Sequence, residues 1–399
     1  MIPDGMHDVL PLEAAELCVL ETALRERFVA YGYGEVRTPT LEYAETLERA
    51  EDTVLEAGYR LYDGSGVLSL RTDMTLPVAR LAVERLRDRP LPLRLSYVAD
   101  SFRQVAPRRG EEGAVTQAGV ELLGLESPVA DAECVIVLCD ALAAAGLSGY
   151  RVTLGSVAFH RELVAAFGLS HDDADDVFDA LAARDYPLLE SIVAKSTVDD
   201  EGRRSLQRAL ELSGGDSALA EARRLASTDG MKAAVERLVA VRDLADDAGF
   251  GDVVGFDFGL FQDLSYYTGI VIEAYAPGVG LPIASGGRYD DLLGMFGWDL
   301  PAVGFAISLD RLHLARCERG APPIVTAASP LAFVGGLEEV EKATELRRAG
   351  VAVTGLPAAD RHPGAPSLMR DDGDYVLVAA DGQTTRGSWR DILRALGVS

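Results

Sequence analysis

The sequence predicts a mixed chain of helices and strands in two parts, a large one followed by a small α/β module. Three observations predict it. Strand-like runs at 93–103 and 115–123 flank a polar loop at 104–113, which is the pattern of an antiparallel hairpin. A mostly helical, charged block fills 162–248. A Pro-rich joint at 321–330 precedes a stretch where strand and helix patterns alternate.

Taken in order, residues 11–30 predict an amphipathic helix, with Leu17, Leu20, Leu24 and Phe28 on one face. Gly32 and Gly34 end it, and 36–39 reads as a short strand closed by proline. A strand at 67–70 leads into RTDMTLPVAR, where Pro77 suits the start of a helix. After the hairpin come a helix at 131–145 and a strand at 151–154. The helical block breaks near Gly214 and Gly215. Strand patterns resume at 253–258, 270–276 and 303–307, and a helix follows at 309–319. Beyond the joint, 331–334, 351–354 and 375–379 read as strands, and 338–349 and 389–396 as helices. There is no internal repeat and no low-complexity tract.

Composition narrows the function. Apolar residues make up 48% of the 399, enough to bury a sizeable core. The balance of 38 basic against 63 acidic residues, a net of −25, disfavours a broad grip on nucleic acid. The four cysteines, Cys18, Cys134, Cys139 and Cys317, show no metal-ligand spacing and read as buried reduced thiols. The five histidines form no HxH or HExxH cluster, so no metal site is expected. No apolar run is long enough for a membrane span, and MIPDGMHDVLP lacks the features of a signal peptide. A cytoplasmic protein is expected.

Several polar residues could converge. Arg71, Asp73 and Thr75 alternate after a strand and would share a face in an extended segment. Asp73 can accept from an ammonium group, with Thr75 assisting. Gln117 and Glu121 share a strand face; an amide can bond a carboxylate or an amine, and a carboxylate can accept from an imidazole N–H. Tyr266, Tyr267 and Tyr289 offer hydroxyls and aromatic walls, and Arg103 and Arg311 suit anionic oxygens. Singly, each has a plain alternative: a surface ion pair for the RTD triplet, a solvated strand face for Gln117 and Glu121, packing for the tyrosine pair, a turn for GGRYD.

Order and spacing say more. PDGMHDVLP at 3–11, YGYGEVRTPTLE at 31–42, SLRTDMTLPVAR at 69–80, SFRQVAPRRGEEGAVTQAGVELLG at 101–124, GLFQDLSYYTG at 259–269, GGRYDDLLGMFG at 286–297 and VGFAISLDRL at 303–312 occur in sequence. In this the chain resembles class II aminoacyl-tRNA synthetases, histidyl-tRNA synthetase in particular, over roughly residues 1–320. The resemblance implies an α+β fold: an antiparallel sheet flanked by helices, a helical insertion near 162–248, and a shortened anticodon-type α/β domain at 328–399. It implies a histidine pocket in which Asp73 and Thr75 hold the α-ammonium and Gln117 lies between ammonium and carboxylate. Glu121 and Tyr267 would hold the imidazole, with Tyr266 and Tyr289 lining the site.

The departures point further. Val105 stands where the family has an acidic partner of the motif-two arginine, here Arg103. Gln262 stands where it has the arginine that bridges the carboxylate and the α-phosphate, and Ser265 replaces a nearby aspartate. A lost donor of this kind costs roughly 10²–10³ in rate. Arg103 and Arg311 remain as candidates for residual phosphate binding.

A kept pocket with lost activation chemistry resembles the regulatory subunits of ATP phosphoribosyltransferase, synthetase paralogues without aminoacylation activity. The resemblance implies a non-catalytic partner of the short catalytic subunit in the first step of histidine biosynthesis. It also implies dimers assembled into a hetero-octamer, L-histidine as allosteric ligand, no cofactor and no tRNA. A divergent histidyl-tRNA synthetase, or a ligase for another acceptor, is the alternative.

Overall fold

The computed structural model describes residues 2–48, 58–64, 66–104, 112–182, 185–195, 198–260, 266–320, 331–334, 339–356 and 365–398. Two compact units divide the chain, Met1–Ile324 and Val325–Ser399.

The larger unit is built on a nine-stranded sheet. Its middle is antiparallel throughout: Leu93–Phe102, Ala114–Leu123, Ala302–Ser308, Ala284–Arg288, Ile270–Tyr275 and Arg151–Ser156 lie side by side in that order. Gly34–Glu35 adds in parallel at one edge; Val254–Asp257, then Ser213–Gly214, extend the other. The long hairpin expected at 93–123 is therefore real, and both its strands are ten residues. A separate small sheet joins Leu41–Tyr43, Gly66–Leu70 and Arg60–Asp63.

Alternation along Ala114–Leu123 explains how the unit is layered. Ala118, Val120 and Leu122 face one core with Leu20, Leu24 and Phe28 of the helix Pro11–Ala30 and Val135, Leu138 and Leu142 of the helix Pro128–Ala144. Both helices begin with proline, where its missing N–H does no harm, and Ser127 caps the second. The opposite face carries Glu121 and packs against Tyr97, Met74, Leu76, Tyr267 and Tyr289. One face is thus a conventional helix-covered core, and the other forms the floor of a polar site.

Helices from Val157–Ala165 to Asp229–Asp247 fill the interval between the strands Arg151–Ser156 and Val254–Asp257. The break expected near Gly214 is a two-residue strand pairing with Val254–Asp257. Other expectations shift. The short strand is Gly34–Glu35 rather than 36–39, with only the Val36 amide bonding back to Ser96. The helix after the RTD triplet starts at Thr75, two residues before its proline. GGR of GGRYD is not a turn but the end of a central strand, Ala284–Arg288.

The smaller unit has a five-stranded sheet in the order Val353–Leu356, Leu331–Val334, Ser367–Asp371, Asp374–Val378, Thr384–Gly387. The first three are mutually parallel, and the last two antiparallel. Phe333, Tyr375 and Trp389 pack together, with Phe333 and Trp389 stacked at 6.3 Å and 11°. Ser388 and Asp391 form a reciprocal cap that starts the helix Trp389–Ala395.

Candidate functional site

Glu121 is the centre of the polar face. It is 1% exposed, and hydroxyls surround it. Thr75 donates to Oε1 at 2.9 Å, Tyr97 lies 3.5 Å from the same oxygen, and Tyr289 donates to Oε2. Burial pushes its carboxyl up to about 8, and the three hydroxyl bonds oppose that rise. Close backbone approach makes room for it. A β-carbon at Gly304, the cross-strand partner of Glu121, would overlap Glu121 Oε2 and the Val120 carbonyl. At Gly287 a β-carbon would stand 2.8 Å from the Tyr267 ring. Glycine at both positions lets the acid and the tyrosine lie down on the sheet.

Asp73 is 6% exposed and sits between strand and helix. Its Oδ1 accepts from the Leu76 amide at 3.1 Å, but its Oδ2 is buried with no hydrogen-bond donor. Burial raises its carboxyl above the ordinary aspartate range, with the charge of Arg103 acting the other way. Gln117 Oε1 is a second buried acceptor with no donor. Tyr266 packs edge-on to Tyr267 at 5.1 Å and to Tyr289 at 5.8 Å. Asp73, Thr75, Glu121, Tyr267 and Tyr289 therefore gather with Tyr97 around one polar centre.

Arg71 does not join them. Its guanidinium is turned away, with Nε bonding the Asp100 carbonyl at 2.6 Å and Nη1 the Thr38 carbonyl at 3.0 Å. Arg71, Asp73 and Thr75 do not share one face as in an extended segment, because Thr75 already belongs to a helix. Arg103 is exposed; its Nε bonds the Thr72 carbonyl at 3.0 Å, and its charge reaches Asp73. Arg311 bonds the Pro282 carbonyl at 3.0 Å and lies 3.7 Å from Glu112. Val105, Gln262 and Ser265 lie outside the described residues.

Two features escaped the sequence. Tyr97 had no motif to mark it. The second is a buried ion network behind Tyr289: Arg288, 2% exposed, bonds Asp131 through Nε at 2.7 Å and Asp290 through Nη1 at 2.9 Å. Asp131 also pairs with Arg237 of the helix Asp229–Asp247, and Asp290 accepts from the Ala302 amide at 3.0 Å. Only two of the four cysteines are the buried thiols expected. Cys134 and Cys139 are buried, but Cys18 and Cys317 are exposed, and none is in a disulfide. Among the described residues, no helix is long and apolar enough to cross a membrane.

This antiparallel sheet, with its buried acid and tyrosines, is a class II synthetase core of the histidyl type. A family model described as histidyl-tRNA synthetase matches residues 5–312. A solved structure from Bacillus halodurans, titled an ATP phosphoribosyltransferase regulatory subunit/histidyl-tRNA synthetase, superposes with a TM-score of 0.81 at 31% identity, covering 91% of this chain and 94% of that one. A histidyl-tRNA synthetase from Nostoc shares the fold at a TM-score of 0.76 and 20% identity, over 100% of this chain and 98% of its own. A relative from Moorella thermoacetica, named ATP phosphoribosyltransferase regulatory subunit, is 40% identical over 354 residues, 88% of this chain and 91% of its own. Another of that name, from Symbiobacterium thermophilum, is 40% identical over 330 residues, 80% and 81% of the two chains. The chain belongs to the family of ATP phosphoribosyltransferase regulatory subunits.

Proposed function

We propose that this chain is a non-catalytic subunit required by a short ATP phosphoribosyltransferase, and that it conveys feedback by L-histidine in the first step of histidine biosynthesis. Asp73 and Thr75 take the α-ammonium group, with Gln117 between the ammonium and the carboxylate. Glu121 and Tyr267 take the imidazole, and Tyr266 and Tyr289 wall the site. The observation that carries this reading is the pair of buried acceptor atoms without donors, Asp73 Oδ2 and Gln117 Oε1. An unpaired buried acceptor is costly, and a ligand bringing N–H donors removes that cost. One charge-assisted bond to an ammonium contributes roughly 1.5–3 kcal/mol.

Feedback requires that histidine prefer the inhibited form of the complex, and a coupling of about 1–3 kcal/mol suffices. In this reading the chain neither makes histidyl-adenylate nor binds tRNA. It works in the cytoplasm as dimers within a hetero-octamer, and it needs no cofactor. The neutral Gln262 and Val105 support the loss of activation chemistry, and the net charge of −25 supports the absence of tRNA.

Reconstitution with a short catalytic subunit tests the proposal. The expected result is catalytic turnover that needs this chain and is inhibited by histidine. Glu121→Ala should weaken that inhibition while assembly persists; unchanged inhibition curves would remove Glu121 from the site. Histidine-dependent ATP–pyrophosphate exchange by the purified chain alone would overturn the non-catalytic assignment.

A further inference from the structure

Outside the polar face, the helices Pro11–Ala30 and Leu309–Glu318 bring three different metal-binding side chains together. Glu16, His313 and Cys317 present an oxygen, a nitrogen and a sulfur within 4.8 Å of one another. His313 and Cys317 are one helical turn apart on the same helix, and Glu16 projects from the other. Glu16 is buried, His313 half-buried and Cys317 exposed.

Both neighbours converge on a single ring nitrogen. His313 Nε2 lies 2.6 Å from Glu16 Oε2 and 3.7 Å from Cys317 Sγ. That convergence separates two kinds of chemistry. A thiol–imidazole–carboxylate relay needs thiol and carboxylate on opposite ring nitrogens, so that one orients the ring while the other exchanges a proton. Here one nitrogen faces both, and the single proton it can carry serves only one of them. A cation in place of that proton engages all three groups at once.

We propose that Glu16, His313 and Cys317 form a binding site for a zinc-class divalent cation, with a further position open to solvent. The donor set selects the class. Thiolate and imidazole favour borderline and soft ions, and a hard ion such as calcium or magnesium would want oxygens throughout. Three protein ligands and an accessible outer side describe an open rather than a closed site. With bonds of about 2.0 Å to nitrogen and oxygen and about 2.3 Å to sulfur, the donor atoms must stand roughly 3.3–3.6 Å apart. The Glu16–His313 contact therefore opens slightly and the Cys317–His313 contact closes slightly, both within side-chain motion. Binding converts the Cys317 thiol to thiolate, and the released proton passes to water.

The site ties the first long helix of the chain to the last helix before residues 321–330. The open position suits a water or the donor atom of an incoming group. The sequence concealed it because Glu16 lies 297 positions from His313.

Cobalt(II) tests the assignment on the metal-free, untagged full chain. The expected result is one equivalent bound, a thiolate-to-cobalt charge-transfer band in the near ultraviolet, and loss of that band when zinc is added. Cys317→Ser should abolish the band and weaken cobalt binding roughly tenfold or more. His313→Gln should weaken it similarly, and Cys18→Ser, which alters the other exposed thiol, should change neither. Absence of the band at cobalt well above protein concentration overturns the proposal. So does a band that survives in Cys317→Ser or vanishes in Cys18→Ser. Because Cys317 and Cys18 are both exposed, those two variants retain the fold and keep the comparison decisive.

Discussion

Replacing Glu121 by glutamine should flatten the pH dependence of stability between about pH 5 and pH 8. Burial raises this carboxyl to about 8 from an ordinary 4.5. The folded protein therefore holds a proton that the unfolded chain has released between those values. The sign follows: the contribution to stability is fully present below about 4.5 and is lost as pH rises through about 8. From pH 6 to pH 9 the loss from this one group is about 2–3 kcal/mol, nearly all of it below pH 8, using 1.36 kcal/mol per pKa unit. For a unit of this size that is a melting-temperature fall of about 3–4 °C.

Glutamine has the same shape and no charge to bury. The Tyr289 and Thr75 hydroxyls can each turn to donate or accept, so the bonding around position 121 survives. Glu121→Gln should therefore lie within about 1 kcal/mol of the parent at pH 6, gain on it up to about pH 8 and hold that gain to pH 9. Thermal melts of both proteins across pH 6–9 give the comparison, and subtraction removes every other titrating group. Parallel curves over that range would refute the raised carboxyl.

Three further outcomes follow from the same geometry. Asp73→Asn removes the counter-charge for an ammonium group and should lower histidine affinity about tenfold or more by calorimetry, with little change in melting temperature at pH 7. Gly304→Ala places a methyl group on Glu121 and on the Val120 carbonyl; urea unfolding should show a loss of roughly 1–3 kcal/mol, since the carbonyl is backbone and cannot step aside. Asp131→Ala leaves two arginines facing each other without their shared carboxylate, Arg288 fully buried and Arg237 partly. A loss of about 3–5 kcal/mol is expected in the same assay, and a loss below 1 kcal/mol would mean that water screens the network.

The legible parts of the sequence were those governed by local pattern. The helix Pro11–Ala30 was readable from end to end because proline marks its start and glycines follow its last turn. The hairpin was readable because two long strand-like runs flank a polar loop at 104–113. Ala284–Arg288 was not, since a strand containing Gly286 and Gly287 lacks the branched and aromatic residues that announce one. Those glycines are dictated by what lies against them, Tyr267 and the neighbouring strand, and not by local preference. The same reason hid Arg71. Its alternation with Asp73 was correctly seen, but a helix beginning at Thr75 sends the guanidinium to the carbonyls of Thr38 and Asp100. Of the residues that gather around Glu121, Asp73, Thr75, Tyr267 and Tyr289 are singled out by motif order. Tyr97 and the Asp131 network depend on contacts 24 and 157 residues apart, which no spacing rule registers.

The arrangement also suggests how a small ligand could govern a larger assembly in the proposed function. Glu121 and Gln117 belong to a central strand paired on both sides, and such a strand has little freedom to shift. Asp73 and Thr75 belong to a different segment, which is anchored to the edge of the sheet through Arg71 and Asp100 and meets the central strand through the Thr75–Glu121 bond and apolar packing. A ligand that bonds to both ties the segment to the sheet, and its affinity depends on the distance between them. A coupling of about 1–3 kcal/mol corresponds to one such bond made in one arrangement and missed in the other. Feedback of ordinary strength therefore needs no large refolding. It needs only that partner binding and ligand binding prefer different separations of Asp73 from the strand that carries Glu121.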